Sequence, residues 1–266
     1  NRGEIAIRII RACHELNLQT VAIYAKEDEY GVHRFRADES YLVGAGKKPI
    51  EAYLDMDDII RIAKMTGADG IHPGYGFLSE NEEFAQKCEE AGITFIGPTV
   101  KQLQMFGDKI EAKEVAHAAG LETIPGTEDP VRSITQVREF ADQHGYPIMV
   151  KAALGGGGRG MRIVYSEAEL EEAYNRARSE AMQSFGDDEL YVEKYLQNPK
   201  HIEVQILGDK YGNILHLFER DCSVQRRHQK VIEFAPSITL DDKRRQEICE
   251  AAVRLAKSVN YQNAGT

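Results

Sequence analysis

Four consecutive glycines, Gly155 to Gly158, lie in the segment KAALGGGGRG at 151–160. Glycine adds no side chain to a core and loses more conformational freedom on ordering than any other residue, so packing does not explain the run. Short apolar stretches flank it, PIMV at 147–150 and MRIVY at 161–165. Such stretches are typical of strands. The pattern therefore predicts two antiparallel strands with a glycine-rich loop between them.

This loop has the composition of an anion-binding segment. Backbone amides without side chains approach phosphate oxygens closely, and Lys151 and Arg159 add two cations. The segment matches neither G-x-x-x-x-G-K-[ST] nor G-x-G-x-x-G at a strand-to-helix turn. A flexible surface hairpin is the alternative, but the flanking cations favour a nucleotide clamp.

Helical patterns and strand-like apolar runs alternate through residues 4–96. This alternation predicts an α/β region built on a parallel, doubly wound sheet. Ligands bind beyond the carboxyl ends of the strands in such sheets, and the segment HPGYGFLSEN at 72–81 lies at one such end. Tyr75 is predicted to project into the crevice there. A rigid structural loop is the alternative interpretation of this segment.

One or two helices are predicted over 101–119, with an interruption at Gly107 and Asp108. Lys109 follows the interruption and lies at a helix start, where a lysine opposes the helix dipole. Two interpretations of Lys109 stay open at this point, an anion contact and a solvated side chain.

A small α+β unit of about 70 residues is predicted after the turn-rich segment LETIPGTEDP at 121–130. Ser133 is predicted to cap its first helix, which ends at Gly145. Ser166 and Glu169 form the sequence pattern of a capping box at the start of its second helix. Further strands are predicted at 190–196, 201–207 and 214–218, with a helix at 241–259.

Two polar stretches follow apolar strands. Glu193 and Lys194 offer a carboxylate and an ammonium that can hydrogen-bond the edge of a purine, although solvated Glu-Lys pairs are common. Farther along, four side chains that carry or can carry positive charge lie within five residues: Arg226, Arg227, His228 and Lys230. Their mutual repulsion costs stability unless an anion is bound. A solvated basic loop is the alternative.

Composition excludes several function classes. The formal net charge of −10 argues against non-specific nucleic-acid binding. No apolar run has the length of a membrane span, and the polar start NRGE does not resemble a signal peptide. The four cysteines are widely scattered without metal-ligand spacing, which predicts a reducing cytoplasm.

Seven segments together resemble the biotin carboxylase component of biotin-dependent carboxylases: NRGEIAIRI, IHPGYGFLSEN, FIGP, MFGDK, KAALGGGGRGMRIV, EKYLQNPKHIEVQ and ERDCSVQRRHQKVIE. The stretches YGVHRFRADESYLVG and ERDCSVQRRHQKVIEFAP lean toward the pyruvate-carboxylating branch rather than toward acetyl-CoA carboxylases. The resemblance implies an ATP-grasp fold, in which a nucleotide binds between two α+β units. It implies a Rossmann-like domain at 1–108, a linker helix at 109–126, a mobile lid at 127–191 and the start of a C-terminal ATP-grasp domain at 192–266.

The resemblance also implies a role for each matching residue. Lys109 and Lys151 would hold ATP phosphates, and His201 would lie near the ribose. The loop that would close over the phosphates comprises Gly155, Gly156, Gly157, Gly158, Arg159 and Gly160. Adenine would bind at Glu193, Lys194 and Leu196. The residues that would face nucleotide and bicarbonate are Gln225, His228 and Lys230, and those that would line the carboxylation pocket are Tyr75 and Gly76.

The implied reaction is the activation of bicarbonate by ATP through carboxyphosphate, followed by carboxylation of biotin, with ATP, Mg²⁺ and biotin as cofactors. Bicarbonate, a biotin carrier domain and a carboxyltransferase domain are the implied partners, in a homo-oligomeric parent protein. The Mg²⁺ ligands, one arginine and the general base are expected downstream of Thr266. The chain is therefore expected to be truncated at both ends and inactive by itself. The alternatives are the biotin carboxylase of an acetyl-CoA or other acyl-CoA carboxylase, another ATP-grasp ligase, and a non-catalytic nucleotide-binding module.

Overall fold

The computed structural model describes residues 1–152, 161–226 and 229–266, and it describes residues 109, 110, 184 and 185 by their backbone alone. The chain divides into two compact units. The first unit comprises Asn1–Val115, Glu203–Arg220 and Ala235–Thr266, and the second comprises Ala116–Ile202 and Asp221–Phe234. Among the described residues, no helix combines the length and the apolar character that a bilayer crossing requires.

Helices and strands alternate through the N-terminal part of the chain, as predicted. The order is α1 (Gly3–Glu15), β1 (Val21–Tyr24), β2 (Glu39–Leu42), α2 (Pro49–Tyr53), α3 (Met56–Thr66), β3 (Gly70–Ile71), α4 (Glu82–Glu90), β4 (Thr94–Phe95), α5 (Val100–Gly107) and α6 (Lys109–Ala118). The interruption predicted at Gly107 and Asp108 separates α5 from α6. The predicted end of α3 at Gly67 is confirmed, because Gly67 takes the left-handed conformation that glycine tolerates best.

The strands of this part pair in parallel, as predicted, and their hydrogen bonds connect them two by two. Strand β1 pairs with β2, and β3 pairs with β4, as two separate two-stranded sheets. Strands β3 and β4 have two residues each and, among the described strands, hydrogen-bond only to each other. A core around Ile62 and Phe84 packs α3 and α4 against these strands.

The second unit contains α7 (Ile134–His144), β5 (Ile148–Ala152), β6 (Met161–Val164), α8 (Glu167–Phe185) and β7 (Leu190–Lys194). Its three strands form an antiparallel sheet with the order β6-β5-β7. The antiparallel pairing of β5 with β6 confirms the two strands that were predicted around the glycine run. Strand β7 crosses the predicted lid limit at residue 191, since it pairs with β5 along its whole length. The lid itself stays a prediction.

The two helices of this unit begin differently. Ser133 caps α7 as predicted, since its hydroxyl accepts a hydrogen bond from the backbone N–H of Gln136. The capping box predicted for α8 is wrong, because Ser166 makes no side-chain cap. The Glu169 carboxylate instead accepts from the backbone N–H of Tyr165 at 3.1 Å, one residue earlier than the pattern requires.

The remaining elements are β8 (Ile202–Gly208), β9 (Ile214–Arg226), β10 (Gln229–Phe234), α9 (Asp242–Ser258) and β11 (Asn263–Gly265). In the first unit, α9 packs on β8 through a core that includes Val204 and Cys249. In the second unit, β10 pairs antiparallel with the last residues of β9. The basic stretch therefore extends a strand pair, and the loop alternative for its described residues is wrong.

A buried ion pair anchors β9 within the first unit. The Glu219 side chain is fully buried and accepts hydrogen bonds from Arg245 of α9 at 2.8 Å and from the Ser237 N–H at 3.0 Å. Burial alone would raise the pKa of Glu219, but these donors more than offset it, so the pKa lies below its ordinary value. The ionised carboxylate therefore stabilises the fold at neutral pH.

Replacing Arg245 by methionine is expected to lower the free energy of unfolding by about 3–5 kcal/mol, because it leaves Glu219 charged and buried without its partner. Urea titration at pH 7 measures the loss. The difference should narrow as the pH falls through the lowered pKa of Glu219, since the wild-type pair is lost once the carboxylate is protonated. Arg244→Met is the matched control because Arg244 is exposed on the same helix. Equal losses in both variants would contradict the account.

Candidate nucleotide-binding site

Strand β5 presents two different faces because side chains alternate along a strand. Ile148, Val150 and Ala152 are buried in the core with α7 and α8. Met149 and Lys151 therefore lie on the opposite face of the sheet, and both are half-buried. We call the side of the sheet away from α7 and α8 its outer face.

Lys151 meets a carboxylate on this outer face. Its cross-strand neighbour is Tyr191 of β7, and Glu193 lies two residues farther along the same face. Long side chains reach such diagonal neighbours, and the Lys151 ammonium donates a hydrogen bond to Glu193 Oε1. The exposed fractions are only 26% for Lys151 and 32% for Glu193. The structure thus brings together one predicted phosphate contact and one predicted adenine contact.

Lys194, the next residue, lies on the other side of β7. Its Nζ donates to the carbonyl oxygens of Gly145 and Tyr146 at 3.0 and 3.1 Å. These carbonyls follow the last turn of α7, where a positive charge is favourable. The side chain of this predicted adenine contact therefore holds a helix end, and its proposed contact with adenine stays a prediction.

His201 and Gln225 also lie together. The amide nitrogen of Gln225 lies 3.0 Å from His201 Nδ1 and donates to the Cys222 carbonyl oxygen at 3.0 Å. The backbone N–H of His201 donates to the Ser223 hydroxyl at 2.9 Å. These contacts fix the predicted ribose neighbour beside a predicted bicarbonate-side residue. Leu196 is 44% exposed, and the hydrogen bonds described for this cluster do not involve it.

Lys230 of β10 is directly opposite Gln225 of β9 in the antiparallel register. Residues opposite each other across a strand pair project to the same face. The Lys230 ammonium lies 3.9 Å from Glu233 Oε1, and its side chain is partly exposed. A cation and an amide thus stand on one face of this strand pair.

Tyr75 and Gly76 belong to the first unit. The Tyr75 hydroxyl donates to Glu4 Oε1 at 2.7 Å, and this hydrogen bond raises the pKa of the phenol. The side-chain amide of Asn1 donates to the carbonyl oxygens of Pro73 and Tyr75, each at 2.7 Å. Sequence reasoning missed the contribution of Asn1 to this loop, although the motif NRGEIAIRI contains it. Gly76 has a φ of +65°, which favours glycine.

The structure describes some predicted site residues not at all and one by its backbone alone. Gly155 to Gly160, Arg159 and His228 lie outside the described residues. Lys109 is described by its backbone, which begins α6 as predicted. The Asp108 side chain accepts from the backbone N–H of Glu111 at 3.1 Å and so occupies the capping position before Lys109.

Two family models match the chain, one after the other. Residues 1–103 match the model described as biotin carboxylase, N-terminal domain, and residues 108–266 match carbamoyl-phosphate synthase L chain, ATP binding domain. The chain belongs to the biotin carboxylase family of ATP-grasp proteins. The second model alone would also admit a carbamoyl phosphate synthetase, but the first model separates the biotin carboxylase family from that alternative.

Curated relatives of this biotin carboxylase chain are pyruvate carboxylases. It is 65% identical to the pyruvate carboxylase of Bacillus subtilis and 56% identical to the mitochondrial pyruvate carboxylase of Homo sapiens, over all of its 266 residues. The chain spans 23% of the length of each of these relatives. The predicted similarity to the pyruvate-carboxylating branch of the family is confirmed.

Solved biotin carboxylase structures share the fold. The biotin carboxylase domain of Hydrogenobacter thermophilus 2-oxoglutarate carboxylase, solved with MgADP, ADP and bicarbonate, superposes with a TM-score of 0.84 at 50% identity. It covers 99% of this chain, which spans 58% of that domain. Campylobacter jejuni biotin carboxylase in its β,γ-ATP complex gives a TM-score of 0.86 at 46% identity, with coverages of 99% and 59%. The predicted ATP-grasp fold is confirmed.

Proposed function

We propose that this chain is the nucleotide-binding part of a biotin carboxylase that uses ATP to activate bicarbonate and carboxylate biotin. In the full-length protein the carboxyl group then passes to pyruvate and gives oxaloacetate. The observation that carries the proposal is the outer face of the β6-β5-β7 sheet, where a half-buried lysine stands beside apolar side chains. The similarity to pyruvate carboxylases supports pyruvate as the acceptor.

The outer face suits a nucleotide. Met149 and Ile163 are cross-strand partners on it, and half-buried apolar side chains of this kind pack against the flat face of a base. Lys151 is next but one to Met149 on the same strand, so a phosphate chain can extend from the base toward its ammonium. The Lys151 charge then stabilises the negative charge that develops during phosphoryl transfer. Lys109 is proposed to act in the same way, and Glu193 to Leu196 to bind adenine.

Bicarbonate is proposed to bind at the antiparallel pair of β9 and β10. Carbonate oxygens are small anionic acceptors, which require donors held in a fixed direction. Lys230 supplies an ammonium and Gln225 an amide from directly opposite strand positions. Attack of a bicarbonate oxygen on the γ-phosphorus of ATP forms carboxyphosphate and releases ADP. Cations near the transferred group lower the barrier because charge accumulates on phosphate and carbonate together.

Mg²⁺ takes oxygen ligands, usually one or two carboxylates together with substrate phosphates. No described residue is proposed as its ligand. The Hydrogenobacter relative was solved with MgADP and bicarbonate, which supports the proposal that this protein binds a magnesium nucleotide and bicarbonate. Biotin is proposed to arrive on a carrier domain of the parent protein. The carboxyltransferase domain and the homo-oligomeric assembly of that protein stay predictions. The cytoplasmic location also stays a prediction, since relatives at 56% identity are named mitochondrial.

In the full-length protein, Lys151→Gln is expected to weaken ATP binding roughly tenfold to a hundredfold, the equivalent of about 1.5–3 kcal/mol for a charged hydrogen bond. Isothermal titration calorimetry measures the binding. ADP–ATP isotope exchange that depends on bicarbonate and biotin measures the reaction, and it should fall in parallel. Lys200→Gln is the control because Lys200 is exposed in the same unit. A folded Lys151→Gln protein with unchanged binding would remove Lys151 from the site, and wild-type exchange that ignores bicarbonate and biotin would contradict the proposed reaction.

Lys230→Gln is expected to lower bicarbonate-dependent ATP cleavage by about tenfold while changing ATP affinity less than twofold, because one charged contact to the smaller substrate is lost. The fold should stay intact, since the Lys230 side chain is partly exposed. Calorimetry with ATP and steady-state assays with varied bicarbonate separate the two effects. A parallel decline of ATP affinity and turnover would make Lys230 a nucleotide contact.

A further inference from the structure

The pairing of Lys151 with Glu193 has a consequence for ligand selection. We propose that, without nucleotide, the Glu193 carboxylate occupies the contact with Lys151 that a nucleotide phosphate makes, and that it thereby selects complete nucleotides over phosphate or polyphosphate alone. This inference rests on the proposed function, because Lys151 must be a phosphate contact for the exchange of partners to matter.

The fold pairs Glu193 with Lys151 and not with Lys194, its neighbour in the sequence. Lys194 projects to the other side of β7, where its ammonium binds the carbonyl oxygens of Gly145 and Tyr146. Lys151 lies on the central strand of the sheet and on the same face as Glu193. Both side chains are about two-thirds or more shielded from water, so the attraction between them is less screened than at an open surface. The strand register therefore places the two opposite charges side by side on the outer face.

A carboxylate and a phosphate compete for the same ammonium because both are oxygen anions. While Glu193 holds Lys151, the outer face offers an approaching phosphate little net positive charge. A phosphate that shares the ammonium with Glu193 is repelled by the carboxylate across a few ångströms. An inorganic polyphosphate has no other group with which to offset this repulsion.

A complete nucleotide differs because it carries a base. Glu193 begins the segment that is proposed to bind adenine, so base binding acts on the same residue that holds Lys151. The base can therefore shift Glu193 as the phosphates reach the lysine. Removing the carboxylate should help a ligand without a base more than it helps ATP.

The test uses the full-length protein and two ligands, inorganic tripolyphosphate and ATP, with binding measured by calorimetry. Glu193→Gln is expected to bind tripolyphosphate about fivefold more tightly than wild type and ATP no more tightly, because the variant also loses the carboxylate proposed to contact adenine. In the Lys151→Gln background, the additional Glu193→Gln change is expected to have no effect on tripolyphosphate. Glu180→Gln is the matched control, because Glu180 pairs with Arg162 on the helix side of the same sheet.

Three outcomes would overturn the inference: unchanged or weaker tripolyphosphate binding in Glu193→Gln, equal gains for both ligands, or the same gain in the Glu180 control or the Lys151→Gln background. If Glu193→Gln does not fold, Glu193→Asp replaces it, since the shorter side chain withdraws the carboxylate from Lys151 and should give a smaller gain in the same direction. Failure of the proposed function has a different signature, because Lys151→Gln would then leave ATP binding unchanged.

Discussion

Alternation of side chains along the central strand β5 is the constraint on which the candidate site depends. Val150 is fully buried against the helices of its unit, so its neighbour Lys151 must lie on the outer face. A register shift of one residue would bury the lysine and expose the valine, at a cost in burial and in desolvation of charge. The apolar core of the second unit thus determines on which face of the sheet Lys151 lies, the residue proposed to contact phosphate.

Each charged group on this sheet has a partner on its own side. Lys151 pairs with Glu193 on the outer face, while Arg162 pairs with Glu180 on the helix side. Lys194 binds the end of α7. These local pairs matter more for an anionic ligand than the net charge of −10, because screening confines electrostatic attraction to about one Debye length. An acidic protein can therefore bind an acidic nucleotide at one lysine-bearing face.

Local patterns predicted much of the fold. The strands around the glycine run, the break before Lys109 and the cap at Ser133 follow from features within a few residues of each other. Features that depend on pairing at a distance could not be predicted from local patterns. The grouping of the strands as β1-β2 and β3-β4 depends on which strands exchange hydrogen bonds, and the strand conformation of the described basic residues depends on the pairing of β9 with β10. Lys151 and Glu193 are 42 positions apart, so no short motif could indicate their contact. The roles of single residues came from the family resemblance.

The central claim is that a nucleotide binds on the outer face of the β6-β5-β7 sheet, and methionine methyl groups report on it directly. Met149 and Met161 lie on that face, whereas Met182 of α8 and Met65 of α3 are exposed elsewhere. Titration of the ¹³C-methyl-methionine-labelled full-length protein with MgADP should shift the signals of Met149 and Met161 and leave those of Met182 and Met65 unchanged. Saturable binding without shifts at Met149 and Met161 would contradict the claim.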